Sequence, residues 1–524
     1  MMDTLTATHR RWARVCRLDD ILPDSGVAAR IGRHQVALFR VGGTIHAVGN
    51  HDPASGANVL ARGIVGDLGG GIVVASPIYK HHFSLASGRC LEDAALSVPV
   101  YQVRIQDDDV WVRDEAALPN RHPVRRRLVV VGGGMAALRT LDELLAMAPD
   151  AYDITIFDSE QHVGYNRVLL SPLLAGDKGA DDIVTHPAEW YARHGITLYR
   201  GDPVARIDRV RRVVHSRSGI EAAYDRLLLA TGSQALTLPV PGANLPGVMT
   251  FRSLQDVETM LGASRNGGRA VVIGGGLLGL EAANGLMQRG MDVTVVHLMP
   301  HLMERQLDRS AAALLRQEFE RRGLRFVMPA RTMGFRGAER VSAVSLDDGR
   351  ELPADLIVVA AGIRPNTQLA RETGLRCDRG VLVDDTLMTF DPAIYAVGEC
   401  VQHRGATFGL VAPLWEQARI CATQLAGRGL RGYRSTHHPT QLKVGGIDVF
   451  SAGDCSDRPG CESLVLRDPG RGVYRRLILE QDRVRGAVLY GDISAGRWYA
   501  DLIREGRDVS GLREQLLFGE PVTA

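Results

Sequence analysis

At 524 residues the chain has room for roughly three domains of ordinary size, and its 45% hydrophobic and 23% charged residues are the proportions of a folded globular protein, not of a disordered one. Lys and Arg number 62 against 60 Asp and Glu, a formal charge of +2, which leaves no basic excess for a nucleic-acid partner. The first residues lack the apolar core of a signal peptide, and apolar runs such as Leu356–Ala361 fall far short of the roughly 20 residues of a membrane helix, so a cytoplasmic protein with no membrane partner is expected.

In chain order, residues 12 to 113 read as an all-β module. Val36–Phe39, Ile45–Val48, Ile72–Ala75, Val100–Ile105 and Val110–Val112 are β-rich runs separated by Gly, Asp and Pro turns, with Asp107–Asp109 as a hairpin turn. The basic stretch Leu118–Arg127 reads as a solvated connector.

From Leu128 the pattern changes to strands alternating with helices. Leu128–Val131 runs into Gly132-Gly-Gly134-Met-Ala-Ala137, a fingerprint for a dinucleotide. Gly132 permits the tight turn, Gly134 lets a pyrophosphate approach the backbone, and Ala137 allows close packing of helix on strand. Asp158, ending the next strand, stands where an acid binds ribose hydroxyls. A second unit repeats the pattern in Ala270–Ile273 and Gly274-Gly-Gly276-Leu-Leu-Gly279. Its following strand ends at His297, which selects neither NADH nor NADPH. Two such units make a double dinucleotide-binding α/β fold.

Thr231-Gly232 ends a strand with small residues, as though backbone passes close to a cofactor. Gly398-Glu399 ends another with an acid suited to a flavin's ribityl chain, and a helix is entered at Pro413 shortly after it. After Gly432, short strands and a helical tail suggest a small α+β domain. The expected boundaries are 1–117 for the β module, 125–250 with 365–430 for an FAD domain, 251–364 for an NAD(P) domain and 431–524 for the last. The seven cysteines form no disulfide framework and no metal site is expected.

With Gly164–Gly176, His301–Asp308, Gly398-Glu-Cys400 and Gly409–Gln417, the chain resembles the FAD-dependent pyridine-nucleotide oxidoreductases, and within them the large subunit of assimilatory NAD(P)H nitrite reductase. Ferredoxin reductases of that superfamily usually have Lys where this chain has Pro172, so the Lys–Glu pair beneath the flavin is absent. Asn58–Asp67 and Ser76–Phe83 resemble the small, Rieske-like subunit of the same enzyme. Aligning its two ligand loops puts Asp52, Ala54, Ser76 and Tyr79 where two Cys and two His would hold iron, so the module is expected to lack a [2Fe–2S] cluster. No sirohaem is expected in this chain either, and the C-x₅-C spacing of Cys455 and Cys461 reads as coincidence.

The resemblance implies FAD and NAD(P)H as cofactors, and hydride transfer from nicotinamide to flavin. Glu281 is the candidate catalytic residue, orienting the carboxamide, and Arg167 is placed to pair with flavin or phosphate. The implied partner is a nitrate or nitrite reductase catalytic subunit or a small electron carrier. Alternatives are a ferredoxin- or rubredoxin-type reductase for another system and a non-catalytic, redox-sensing docking protein.

Overall fold

The structure, a computed structural model, describes residues 12–68, 71–93, 95–117, 125–429, 432–434 and 439–521. The chain divides into two compact units: 1–126 with 144–153 and 422–430, and 127–143 with 154–421 and 431–524.

The first unit is built on antiparallel β-structure. A six-stranded sheet runs in the order Trp12–Arg17, Asp109–Ala117, Val100–Gln106, Thr44–Gly49, His34–Val41, Gly26–Ile31. Beside it stand a three-stranded sheet of Ile64–Leu68, Gly71–Ala75 and His82–Ser84 and the short pair His51–Asp52 with Ala57–Asn58. Alternate residues of the central strands, Val36, Leu38, Ala47, Val110 and Val112 among them, bury one face around Ile21 and Tyr101; Phe39, Leu60, Val74 and Phe83 fill the other core. The expected hairpin turn forms on Asp107 and Asp108, both at positive φ (52° and 64°), with Gln106 paired to Asp109. Short Asp side chains tolerate that left-handed conformation, which matches the twist of the flanking strands.

The second unit contains two parallel sheets. One orders Thr197–Tyr199, Tyr152–Phe157, Arg126–Val131, Arg226–Leu229 and Ile394–Ala396. The other orders Val248–Thr250, Leu356–Val359, Arg269–Ile273, Asp292–Val296 and Arg325–Val327. Their central strands are apolar on both faces, as burial between helical layers requires. The strand Ile394–Ala396 joins the first sheet only after the chain has completed the second. The C-terminal part is an antiparallel sheet ordered Thr440–Val444, Ile447–Gly453, Arg483–Tyr490, Val473–Glu480, Cys461–Asp468, covered by the helix Gly496–Glu505. Val449, Tyr474, Val488 and Tyr490 share one hydrophobic core with the second parallel sheet, through Phe319 and Leu315 among others.

Residues 118–124 of the expected connector lie outside the described residues. The arginines that follow are not a free solvated run. Arg125 pairs with Asp150, and Arg127 grips Asp225 through its backbone N–H and its guanidinium, at 2.7 and 2.9 Å. Arg127 is the second residue of the strand Arg126–Val131. Among the described residues no helix is long and apolar enough to cross a membrane.

Candidate functional site

Each parallel sheet sends a central strand into a glycine turn and straight on into a helix. Gly132 and Gly274 sit at positive φ (102° and 123°), and a Cβ on either would come within 2.4 Å of a backbone carbonyl oxygen, on Ala230 and Ala360 respectively. Only glycine fits there. At Gly134 and Gly276 a Cβ would meet no protein atom within 4 Å, so space lies open before the N-termini of the helices Met135–Met147 and Leu277–Gln288. At the third fingerprint position the halves diverge. Ala137 is fully buried, whereas a Cβ on Gly279 would lie 2.0 Å from the Gly274 carbonyl oxygen.

The residue ending the next strand braces each turn. Asp158 accepts a hydrogen bond from the Gly133 N–H and another from Glu160 N–H at 3.2 Å; burial pushes its carboxyl above the usual carboxylate range. In the second half His297 takes the same position. Its Nδ1 accepts from Gly275 N–H at 3.0 Å, while Nε2 lies 3.1 Å from the His301 carbonyl oxygen and 3.3 Å from Glu304. The imidazole is 7% exposed and engaged on both nitrogens.

Arg167 is turned inward. It pairs with Glu160, donates to the Arg252 carbonyl oxygen at 3.1 Å and stacks over Tyr165, whose hydroxyl donates to Glu160 at 2.6 Å. The expected pairing of Arg167 with a flavin or phosphate therefore competes with a protein partner already in place. Glu399 is likewise engaged, by Arg252 and by the Ser233 hydroxyl at 2.7 Å. Thr231 donates to the Asn366 carbonyl oxygen at 2.7 Å, and Gly232 accepts from Asn366 N–H at 2.9 Å, which ties this strand end to Ile363–Pro365. Gly398 (φ 92°) donates to Gln417 Oε1 at 2.8 Å; the Gln417 side chain is fully buried, and its Nε2 has no partner among the described residues. Pro413 is the third residue of the helix Val411–Leu425, inside the first turn where a missing N–H costs nothing.

Glu281 lies in the helix Leu277–Gln288 and receives a 2.5 Å hydrogen bond from Ser171 in the helix Leu170–Ala175. Burial pushes its carboxyl up to about 7, and the Ser171 hydroxyl opposes that rise. Glu160, Ser171, Arg252 and Gln417 were not singled out by the sequence. For two of them the partner is distant, 110 positions away for Ser171 and 147 for Arg252, and no local pattern marks such pairs.

These features suit dinucleotides. The glycine turns leave room where a diphosphate would meet helix N-termini, and the Gln417 amide is a buried donor awaiting an acceptor. A separate cleft of about 1750 Å³ is lined by Trp415, Phe450 and Cys455 among others and includes none of the glycine-turn residues. Among the described residues no group of three or more His, Cys, Asp or Glu is placed to hold a metal ion.

Residues 126–424 match the model of the pyridine nucleotide-disulphide oxidoreductases, residues 11–113 that of the Rieske-like [2Fe-2S] domain, and residues 439–507 that of the rubredoxin NAD+ reductase C-terminal domain. A nitrite reductase [NAD(P)H] of Bacillus subtilis is 45% identical over 386 residues, 74% of this chain and 48% of that protein. The assimilatory nitrate reductase electron transfer subunit of the same organism is 40% identical over 400 residues, 76% of this chain and 52% of that one. The chain thus spans about half the length of these curated relatives. A solved ferredoxin reductase of Rhodopseudomonas palustris superposes with a TM-score of 0.64 at 27% identity, covering 70% of this chain and 91% of that one.

The Rieske-like match corrects one expectation: a module described by its [2Fe-2S] domain conflicts with a chain assigned no iron–sulfur cluster. The loops in question bring Asp52 and Ser76 together at 2.7 Å, with Ser55 Oγ and Ala54 N–H also donating to Asp52 at 2.8 and 3.0 Å. Asp52, Ala54, Ser76 and Tyr79 do not fit a donor set of two thiolates and two imidazoles. With more than half its length matched and both glycine turns in place, the chain belongs to the pyridine nucleotide-disulphide oxidoreductase family.

Proposed function

We propose that the chain is an FAD-dependent NAD(P)H oxidoreductase that passes electrons to a nitrate or nitrite reductase partner. The observation that carries this reading is the pairing of two strand–glycine turn–helix units, both open in front of the second glycine. The two Bacillus subtilis relatives support the choice of partner by what their names state.

FAD, when bound, supplies the means to take a hydride from a nicotinamide and release electrons onward. The chain's own residues bind and orient. Gly132, Gly134, Ala137 and Asp158 hold one dinucleotide, with Thr231, Gly232, Gly398 and Glu399 lining its path. Gly274, Gly276, Gly279 and His297 hold the other. Gln417 keeps the Gly398 turn closed and presents an amide donor, and the helix beginning before Pro413 adds its N-terminal partial charge. Glu281 orients the nicotinamide carboxamide. Arg167 acts through Glu160, bracing the segment that carries Ser171.

Purified protein should be yellow and bleach on addition of NADH or NADPH under anaerobic conditions, and it should restore nitrate or nitrite turnover to a partner reductase depleted of its electron donor. Colourless protein that resists loading with FAD would sink the reading. A second reading, a ferredoxin- or rubredoxin-type reductase for another system, is favoured by the match of residues 439–507 to the rubredoxin NAD+ reductase C-terminal domain. Efficient reduction of a rubredoxin together with no support of nitrate or nitrite turnover would select it.

A further inference from the structure

The helices Leu170–Ala175 and Leu277–Gln288 come from opposite nucleotide-binding halves and pack on each other. Glu281, Gly285 and Arg289 recur every four residues along the second helix and its C-cap, so they share one face. That face clamps the first helix at three points. Glu281 receives the Ser171 hydroxyl; a Cβ on Gly285 would stand 2.8 Å from Leu174 Cγ; Arg289 donates to the carbonyl oxygens of Leu174 and Leu173 at 2.7 and 3.2 Å. The glycine lets the helices approach, and the two polar contacts fix their register.

The Glu281 end of this clamp is chemically unusual. Ser171 is 8% exposed, and among the described residues it is the only hydrogen-bond partner of Glu281. The helix Leu170–Ala175 carries no charged residue. Charged groups on the other packed elements are committed elsewhere or make no contact with Glu281. Asp256 accepts from the Ser253 N–H, Glu258 faces His162, Arg269 pairs with Asp355, Asp292 with Arg325, and Lys443 is exposed. A lysine in place of the hydroxyl would hold the carboxylate charged; a hydroxyl leaves both protonation states accessible.

We propose that Ser171 is a positioning residue whose hydroxyl fixes the Glu281 carboxyl at the seam between the two nucleotide-binding halves, so that hydride passage from nicotinamide to flavin depends on whether that carboxyl carries a proton. The inference rests on the oxidoreductase reading. The overall step, NAD(P)H + FAD + H⁺ → NAD(P)⁺ + FADH₂, takes up one proton, and a buried carboxyl that changes charge near neutrality alters the field in which that uptake occurs. Burial supplies the rise of Glu281 to about 7, and the Ser171 hydrogen bond favours its charged form.

Two measurements on the full-length protein test this. In the first, infrared difference spectra across pH follow the protonated carboxyl band that is lost in Glu281→Gln. It should titrate near neutrality in the native chain, move upward by about one pH unit in Ser171→Ala, and return in Ser171→Thr. In the second, anaerobic stopped-flow of flavin reduction by NADH and by NADPH across pH should show a rate inflection that moves with the band in Ser171→Ala. The inflection should return in Ser171→Thr and vanish in Glu281→Gln. A band that Ser171→Ala leaves in place overturns the proposal. A band that moves while the rate profile does not shows a structural contact only, which also overturns it. A native protein that NAD(P)H fails to reduce, with a band that still moves, instead brings down the functional reading on which the proposal stands.

Discussion

The Gly275 N–H donates to Nδ1 of His297 at 3.0 Å, the same place in the second glycine turn that the Asp158 carboxylate fills for Gly133 in the first. The two halves thus brace their turns by one geometry with different chemistry. An acid at the strand end in the second half would repel a 2′-phosphate; an imidazole held on both nitrogens brings no negative charge. His297→Asp preserves an acceptor for Gly275 and adds a negative charge. It should lower the kcat/KM ratio of NADPH to NADH by about tenfold, on the order of 1.4 kcal/mol of discrimination. His297→Ala should raise the KM of both nucleotides without that selectivity. Steady-state kinetics with a small artificial acceptor separate the two outcomes.

Room for a side chain at Gly134 and Gly276 separates folding from binding. Gly134→Val should fold and lose flavin, whereas Gly276→Val should keep its yellow colour and lose reduction by NAD(P)H. Absorbance after purification and after nucleotide addition reads both, and the opposite pattern would reverse the assignment of the halves. Gly279→Ala differs, because its Cβ would lie 2.0 Å from the Gly274 carbonyl oxygen. Its loss should show first as a lowered melting temperature.

Glu281 links stability to pH with a definite sign. Its carboxyl lies at about 7 in the folded chain against an ordinary 4.5, so the folded state binds more protons in the interval between them. The stabilisation is fully present below about 4.5 and is lost as pH rises through about 7, by at most about 3 kcal/mol. Denaturant midpoints measured across that interval should fall with pH in the native chain and fall less steeply in Glu281→Gln.

Gln417 carries two functions on one buried amide. Gln417→Met removes the acceptor for Gly398 N–H and the unpartnered Nε2 donor together. Leaving the Gly398 donor unsatisfied costs about 1–3 kcal/mol, read as a lower melting temperature, and FAD affinity measured by fluorescence titration should weaken about tenfold. Full flavin affinity in this variant would exclude Gln417 from the site.

Much of the architecture was legible from short-range patterns, and some of the omissions share a cause. Trp12–Arg17, Gly26–Ile31 and Cys461–Asp468 escaped detection, and all three are edge strands. An edge strand pairs on one side only and is less fully covered, so its alternation of apolar and polar residues is weak; Cys461–Asp468 contains no fully buried residue. The arginines at 125 and 127 read as linker because their acids, Asp150 and Asp225, are invisible to a local window. The loops at Asp52 and Ser76 show the opposite limit. Their residues were read one by one, and the inference from missing thiolates to a module without a cluster met a contrary domain match.

What the sequence by itself determined is the set of local conformations: the turns at Gly132 and Gly274, the hairpin at Asp107 and Asp108, and the alternation of strand and helix. Each is imposed by the sterics of a few adjacent residues, and those constraints act regardless of what packs nearby. Only the tertiary structure decided the chemical state of the side chains. Whether Glu281 is charged, whether His297 is free to reach a ribose, and whether Arg167 faces a ligand or Glu160 all depend on residues brought together from far along the chain. Desolvation and hydrogen bonding are set by those neighbours, and no window of sequence contains them.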